Sequence, residues 1–429
     1  SGSGMAGIMD CEERIDFNLA VSTGQELSVT MDQYMDFALE QPGTRVIGLF
    51  METARRPEGM IRAFEKARKK RIPIVVLKVG RTELSARLAV SHSGAIAGRD
   101  DAYQALFDRY GVQRVKDMDE LATALILCAQ PHEIGSGGLA ALHDSGGERQ
   151  LLIDLADEMN VPLARISDDT VKRLEDLLDP GLPAVNPLDA WGAGGPDADE
   201  MMENCMAALM SDPDTAMGAV VHDRAPLSSI YPEYFDYMRR GHASSGKPVC
   251  LVANRQGSGS DPAAVSVTRE GFPVVDGLRS FLAGVRCLFG YRDFLLRTPP
   301  RAPGAAVDAV ERWRPRLAAG VTLDELESGQ LLKDFGVPVN PASLADSWET
   351  VLAAAHELGY PLVMKSAQHG LLHKTDQAGV VLGIGHETAL ESAYADLSSR
   401  LGERVLISRM VDHPGVELVL GMVRDEQFG

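Results

Sequence analysis

One histidine lies in a stretch of small residues, AVSHSGAIAG, which covers residues 89–98. The small neighbours of His92 give it little side-chain packing, so the backbone of this loop can approach a ligand closely. A neutral imidazole becomes a nucleophile when a partner holds the proton on its other ring nitrogen. The pattern therefore indicates covalent chemistry at His92.

Glu52 is the candidate for that partner. It follows the short apolar run VIGLFM, and parallel sheets place their sites at the carboxyl ends of strands. A carboxylate in this position can accept one imidazole proton and leave the second ring nitrogen of His92 free. The alternative is a solvated glutamate at a strand end, which is the more common situation.

Two glycine-containing turns could bind phosphate. They are SGSG at residues 1–4 and DSGGE at residues 144–148. Backbone amides at a helix start, aided by the helix dipole, bind an anion without a basic side chain. A leftover cloning linker and an ordinary tight turn are the respective alternatives. The phosphate-binding residues predicted from these turns and from the histidine loop are Ser3, Gly4, Ser91, Ser93, Gly94, Gly146 and Gly147.

A second histidine loop, AQHGLLHKTDQAG, follows the apolar run PLVMKS. Lys365 lies at the end of that run, where a lysine commonly faces nucleotide phosphates. The spacing of His369 and His373 raises the question of a metal site. Gly370 and the lack of a third ligand oppose it, so we predict no metal site within this chain.

Apolar runs alternate with helical patterns along the first 296 residues, which predicts parallel sheets with helices on both faces. The predicted strands include RVIGLFME, IPIVVLKVG, VQRV, VPLARIS, MGAVVHDRA and KPVCLVANRQG. The stretch GLAALHDSGGERQLLIDLADEMN is predicted to form a strand, a glycine turn and a helix. The Pro-, Ala- and Arg-rich residues 297–320 are interpreted as a linker. The predicted units are therefore 1–132, 133–296, the linker 297–320, and 321–429.

Composition limits the classes of function. The chain has 42 Lys and Arg against 61 Asp and Glu, a formal charge of −19, which opposes binding to nucleic acid or an anionic membrane. The five cysteines are widely spaced and contain no CxxC, which indicates free thiols in a reducing compartment. We expect a cytoplasmic enzyme that binds neither nucleic acid nor membrane.

These motifs together resemble the NDP-forming acyl-CoA synthetases, including ADP-forming acetate–CoA ligase and relatives of succinyl-CoA synthetase. The segments that match, in family order, are SGSG, VSTGQELSVTMDQYMDF, RVIGLFME, VVLKVGR, SHSGAIAG, DSGGE, NPLDAWG, PLVMKSAQHGLLHKTDQAGVVLGI and VELVLGMVRDEQFG. The resemblance implies an α/β fold with two flavodoxin-like, doubly wound parallel-sheet CoA-ligase domains. The N-terminal part of an ATP-grasp domain would follow them.

The resemblance also implies a reaction and its site residues. Carboxylic acid, CoA and ATP would give acyl-CoA, ADP and phosphate, with Mg²⁺ as cofactor and an acyl phosphate as intermediate. His92 would carry the phosphoryl group, Glu52 would hold its imidazole, and His373 would be a second phosphoryl carrier. The nucleotide-binding residues implied are Lys365, Arg409, Met410, Val411 and Glu417. The expected assembly is a homodimer.

The chain departs from the family pattern in two places. It starts after the position of the usual CoA-binding domain, and it stops before the second half of the ATP-grasp domain, so we expect a fragment of the complete enzyme. DSGGE replaces the more common Asn-Ala-Gly-Gly, so Asp144 should point away from a bound phosphoryl group. Two alternatives stay open: a lyase that uses the same activation, and a non-catalytic regulatory member. The acid substrate is not determined.

Overall fold

The computed structural model describes residues 2–85, 99–222, 229–257, 261–298, 306–320, 322–368, 378–411, 415–416, 418, 425 and 427–428. The chain divides into two compact units, Ser1–Thr298 with Met422–Gly429, and Pro299–Gly421. Both units combine helices with sheets, and parallel pairing dominates the first, which confirms the predicted α/β class. In the part of the chain that is described, no helix is long and apolar enough to cross a membrane.

The first unit begins with a three-stranded parallel sheet of order β1-β2-β3. Its strands are β1 (Ile47–Met51), β2 (Ile74–Lys78) and β3 (Gln113–Val115). The helices around it are α1 (Gly2–Cys11), α2 (Met31–Ala38), α3 (Pro57–Lys70), α4 (Asp100–Tyr110) and α5 (Met118–Cys128). Apolar clusters pack on both faces of this sheet, as a doubly wound arrangement requires.

The same unit contains a five-stranded parallel sheet of order β5-β4-β6-β7-β8. Its strands are β4 (Gly138–His143), β5 (Leu188–Asp189), β6 (Thr215–His222), β7 (Val249–Ala253) and β8 (Val274–Asp276). The helices are α6 (Gly146–Glu158), α7 (Asp168–Leu177), α8 (Ala198–Ser211), α9 (Pro232–Ser245), α10 (Pro262–Arg269) and α11 (Leu278–Leu296). The predicted strand VPLARIS is wrong, because it forms only one isolated bridge, between Leu139 and Leu163.

Helices α5 and α11 connect the two sheets of the first unit. Leu127 of α5 and Phe281 of α11 belong to one buried cluster, while Leu125 of α5 and Cys287 of α11 belong to another. Arg14 adds a polar link, because its Nη1 donates to the carbonyl oxygen of Val274 at 2.7 Å. The two parallel sheets therefore share a continuous buried interior.

The second unit is built on a four-stranded antiparallel sheet of order β11-β10-β12-β9. Its strands are β9 (Ala342–Ala345), β10 (Leu362–Ser366), β11 (Val380–Ile384) and β12 (Val405–Arg409). The helices are α12 (Val307–Ala318), α13 (Glu325–Asp334), α14 (Trp348–Leu358) and α15 (Glu387–Leu401). Helix α12 lies inside the stretch that was interpreted as a linker.

Candidate functional site

Glu52 directly follows β1, so it lies at the carboxyl end of a parallel strand. Met51, the last residue of β1, is in register with Lys78, the last residue of β2. This pairing places a carboxylate and an ammonium group at neighbouring strand ends, and the charge of Glu52 acts on Lys78. The sequence reading assigned no role to Lys78.

Lys78 is a buried cation, with a side chain that is only 2% exposed. Its Nζ donates to the carbonyl oxygen of Val79 at 2.6 Å and lies 4.6 Å from the ring centroid of Tyr103. Burial lowers the pKa of Lys78 to about 8, although the charges of Asp100 and Glu52 oppose that change. A lysine held this way can change its charge near neutral pH.

The loop after β1 is also tied to the end of the chain. The backbone amide of Ala54 donates to the hydroxyl of Tyr103 at 2.7 Å, and that hydroxyl donates to the amide oxygen of Gln427 at 2.9 Å. Phe428 packs edge-on against Tyr103, with ring centroids 4.9 Å apart. The segment around Gln427 therefore contacts the loop that begins with Glu52.

The first glycine turn lies at the start of α1. Ser3 and Gly4 are in its first turn, where backbone amides lack partners within the helix. A Cβ added to Gly4 would lie 3.7 Å from the ring of Phe50, which precedes Glu52 by two residues. The structure thus brings the start of α1 close to the carboxyl end of β1.

The second glycine turn starts helix α6 immediately after β4. Gly146 and Gly147 are its first two residues, and the side chain of Ser145 makes no capping hydrogen bond. The carboxylate of Asp144 accepts a hydrogen bond from the hydroxyl of Tyr234 at 2.5 Å. One oxygen of Asp144 is therefore engaged with α9, and the first amides of α6 are left without a side-chain cap.

Three buried polar groups around this helix start were not singled out from the sequence. The structure gives no hydrogen-bond partner to either ring nitrogen of His143, to Oδ1 of Asp189 or to Nη1 of Arg149. The position of His143, as the last residue of a buried strand before a glycine turn, was the available signal. Native proteins rarely leave buried polar atoms unpaired without a functional reason.

The nucleotide-binding residues that the resemblance implied lie in the second unit. Lys365 is the penultimate residue of β10, and its Nζ lies 2.5 Å from Oε1 of Glu325. Arg409 ends β12, and the amide of Met410 donates to the carbonyl oxygen of Pro361 at 2.9 Å. Val411 is exposed. Because β10 and β12 are antiparallel, Arg409 is in register with Leu362 at the start of β10, whereas Lys365 is in register with Leu406. The structure therefore places Lys365 and Arg409 towards opposite ends of this strand pair.

Six of the predicted site residues lie outside the described residues: Ser91, His92, Ser93, Gly94, His373 and Glu417. Their roles stay predictions. Among the described residues, no group of three His, Cys, Asp or Glu side chains is close enough to hold a metal ion. Four cysteines are buried free thiols, and burial raises the pKa of Cys205 and of Cys287 to about 12.

Comparison with known families covers both ends of the chain. Residues 1–128 match the succinyl-CoA ligase like flavodoxin domain, and residues 317–429 match an ATP-grasp domain. These matches follow the same order as the motifs. Two ADP-forming acetate–CoA ligases are also similar to the whole of this chain, although the match covers only 62% and 63% of their own lengths. The chain therefore contains one domain of each of these two families, and it is similar along its whole length to ADP-forming acyl-CoA ligases.

Two curated ADP-forming acyl-CoA ligases and an acyl-CoA synthase illustrate the similarity. The acetate–CoA ligase (ADP-forming) I of Archaeoglobus fulgidus is 27% identical, over 100% of this chain and 62% of its own length. A trans-feruloyl-CoA synthase of an unknown prokaryotic organism is 26% identical over 96% of this chain and 58% of its own length. The 4-hydroxybutyrate–CoA ligase of Nitrosopumilus maritimus is 23% identical over 97% and 60%, respectively. The chain thus spans about three fifths of the relatives it matches.

A solved structure shows the same fold. It is the acetyl-coenzyme A synthetase 1 of Ca. Korarchaeum cryptofilum in complex with phosphate and ADP, with a TM-score of 0.58 and 21% identity. The match covers 69% of this chain and 64% of the solved one. At 21% identity this similarity shows the fold alone.

Proposed function

We propose that this chain belongs to an ADP-forming acyl-CoA synthetase that carries a phosphoryl group on a histidine. The overall reaction is carboxylic acid, CoA and ATP to acyl-CoA, ADP and phosphate. The observation that carries the proposal is the start of helix α6 at Gly146, which follows β4 directly and has no side-chain cap. Such a helix start binds a phosphoryl group through backbone amides even in an acidic protein.

In the proposed relay, His373 attacks the γ-phosphorus of ATP and ADP leaves. His92 then attacks the phosphorus on His373, and the P–N bond to His373 breaks. The substrate carboxylate then attacks the phosphorus, so that the P–N bond breaks and an acyl phosphate forms. The CoA thiolate attacks the acyl carbon and releases phosphate. The covalent intermediates divide one difficult reaction into several easier displacements.

Glu52 is proposed to hold the imidazole of His92. Its support is its position at the carboxyl end of β1, beside the start of α1 with Ser3 and Gly4. Lys78 lies at the neighbouring strand end and contributes positive charge. Positive charge and helix-start amides both favour a phosphoryl group near this edge of the sheet.

The second unit is proposed to bind the nucleotide. Lys365 supports this, because an ammonium group near the end of β10 can contact phosphate oxygens once it leaves Glu325. Arg409, Met410 and Val411 would lie along the adenine, and Glu417 nearby. Mg²⁺ would neutralise charge on the transferred phosphoryl group when bound.

The test uses the full-length protein with γ-labelled ATP and magnesium. We expect an acid-labile, alkali-stable label on the wild type, discharged by a carboxylic acid together with CoA. In His92→Asn we expect no label at position 92 and no discharge by the acid and CoA of any label left on His373. His373→Ala should block labelling from ATP but not from acyl-CoA and phosphate. A folded, ATP-binding wild type that takes up no label would contradict the relay and favour a regulatory member of the family.

Two further expectations stay predictions. The homodimer follows from the family resemblance, and analytical ultracentrifugation of the full-length protein tests it. A cytoplasmic location follows from the free thiols, and fractionation of the source cells tests it. The acid substrate requires a screen of carboxylic acids against the labelled enzyme.

A further inference from the structure

Tyr103 is a fully buried tyrosine of α4 whose hydroxyl lies beside the loop that begins with Glu52. The hydroxyl accepts a hydrogen bond from the backbone amide of Ala54 at 2.7 Å, and its oxygen lies 3.2 Å from Oγ1 of Thr53. It donates to Oε1 of Gln427 at 2.9 Å. A phenol has one proton to donate and two lone pairs, so these three contacts use its whole hydrogen-bonding capacity.

The side-chain amide of Gln427 closes this arrangement. Its Nε2 donates to Oγ1 of Thr53 at 3.2 Å and to the carbonyl oxygen of Ala54 at 2.5 Å. Because Tyr103 gives its proton to Gln427, the hydroxyl of Thr53 is the donor to Tyr103. The two residues that follow Glu52 are therefore held through a side chain, a backbone amide and a carbonyl.

The ring of Tyr103 contacts a second group at the same edge of the sheet. Nζ of Lys78 lies 4.6 Å from the ring centroid, at a distance where an aromatic face attracts a cation. Lys78 ends β2, and the residue in register with it directly precedes Glu52. The rings of Phe107 and Phe428 pack against Tyr103, with centroids 5.9 and 4.9 Å away. One side chain thus contacts both the loop after β1 and the ammonium group that ends β2.

We propose that Tyr103 is a positioning residue for phosphoryl transfer to His92, with a separate role for each part of its side chain. The hydroxyl fixes the loop that begins with Glu52, and the ring keeps Lys78 charged and in place. The inference rests on the proposed function, in which Glu52 holds the imidazole of His92 and Lys78 contributes positive charge. It goes further because it gives these two groups one common support.

Tyr103→Phe separates the two roles, because it removes the hydroxyl and keeps the ring. The amide of Ala54 then loses its buried acceptor, so the loop after Glu52 is held less firmly. A displacement of about 1 Å at a positioned group can slow a reaction by about a hundredfold. We therefore expect transfer to His92 to slow by about ten- to hundredfold in this variant. Tyr103→Leu removes both the hydroxyl and the ring and should affect Lys78 as well.

The pH dependence of the transfer reports on the ring. Burial lowers the pKa of Lys78 to about 8, and the charged groups that act on it are Asp100, Arg114, Glu52 and Arg81. Wild-type transfer should slow as pH rises through this value, because the ammonium group loses its charge. The ring stabilises that charge, so Tyr103→Leu should move the decline to lower pH by about half a unit to one and a half units. Tyr103→Phe should leave the position of the decline unchanged.

The experiment follows label from γ-labelled ATP in the full-length protein with magnesium, between about pH 6.5 and 9.5, and locates it by peptide mapping. Tyr103→Phe should keep the label on His373 and acquire it slowly at position 92, because only the second transfer uses the loop after Glu52. A general loss of structure would lower both. Tyr110→Phe is the control, because Tyr110 lies on the same helix and packs against Phe64 instead.

Hydrogen exchange measured by mass spectrometry follows the loop independently of the chemistry. The peptide that contains Ala54 should exchange faster in Tyr103→Phe than in the wild type, and Tyr110→Phe should leave it unchanged. Wild-type rates of labelling at position 92 in Tyr103→Phe would overturn the inference, even if exchange at Ala54 increases. A pH profile that Tyr103→Leu does not shift would reject the role of the ring.

The outcomes also separate this inference from the relay itself. If Tyr103→Leu does not fold, by circular dichroism, Tyr103→Phe decides alone. A labelled wild type with equally fast labelling in the Tyr103 variants rejects this inference only. A folded, ATP-binding wild type that takes up no label on either histidine rejects the relay, and the role of Tyr103 in the transfer with it.

Discussion

At the scale of single residues, Lys78 is held in surroundings that oppose its charge. It is almost fully buried and has one carbonyl and one aromatic ring as its close contacts in the described chain. The charges that act on it are Asp100, Arg114, Glu52 and Arg81. A buried ammonium costs stability, and its position at the strand end next to Glu52 makes Lys78 a candidate for the proposed site.

The low pKa of Lys78 predicts a pH dependence of stability. The pKa is about 8 in the folded state against 10.5 for an ordinary lysine, so between these values the unfolded state binds more protons. The stability contribution is therefore absent below pH 8 and grows as pH rises, by about 1.4 kcal/mol per pH unit. We therefore expect the free energy of unfolding of the wild type, measured with denaturant, to be higher at pH 9.5 than at pH 7.5. Lys78→Met should lack this increase.

Lys78→Met should also change the free energy of unfolding at pH 7.5. Lys78→Met removes the cost of burying a charge, so we expect its free energy of unfolding to equal or exceed that of wild type, while labelling of His92 falls. Lys66→Met is the control, because Lys66 forms ion pairs with Asp36 and Glu40 on the surface. Equal pH dependence in wild type and Lys78→Met would contradict the assigned pKa.

Sequence patterns predicted Glu52 because it follows an apolar run, and the structure places it at a strand end. They did not single out Lys78 or His143, although both end strands of similar pattern. The reason is physical. An ionisable residue inside an apolar run has no periodic signal of its own, and its burial depends on which helices later cover the sheet.

At the scale of elements, the start of α6 is where stability and function are expected to oppose one another. Gly147 is the second helical residue, and a Cβ added there would meet no atom within 4 Å. Alanine is a better helix former than glycine by about 0.5–1 kcal/mol. The glycine is therefore not required by packing.

Gly147→Ala should raise the free energy of unfolding by about 0.5–1 kcal/mol, yet reduce the labelling of His92, since its methyl group stands where a phosphoryl group must approach the amides. Gly7→Ala is the matched control, because Gly7 also lies inside a helix with no atom near an added Cβ. Chemical denaturation and labelling with γ-labelled ATP measure the two effects. Full labelling of Gly147→Ala would argue against a phosphoryl group at this helix start.

Elements with long apolar runs were predictable, and short ones were not. The runs containing β1, β2, β4, β6 and β7 were identified because successive apolar residues leave a clear pattern in the sequence. The residues of β2, β4, β6 and β7 are all buried, whereas burial along β1 is interrupted. β5 has two residues, too few for any periodicity. Helix α12 was hidden by its Pro, Ala and Arg content, although Ala309 and Trp313 are buried four residues apart.

At the scale of the whole molecule, charge opposes the anionic ligands of the proposed reaction. The formal charge of −19 creates a field that repels ATP, while the local donors act only at short range. Lys365 adds little to long-range attraction, because Glu325 lies 2.5 Å from its ammonium group. Screening by salt should therefore remove more repulsion than attraction.

We predict that raising KCl from about 20 to 150 mM, which shortens the Debye length to ~8 Å, speeds the association of ATP with this protein by about two- to fivefold. Most nucleotide-binding sites on basic surfaces would give the opposite sign. Stopped-flow fluorescence with a fluorescently labelled ATP analogue measures the association rate. As a control, uncharged adenosine with the same label should associate at a rate that does not depend on salt. An association rate that falls as salt rises would mean that the cations near the ends of β10 and β12 outweigh the field of the 61 acidic residues.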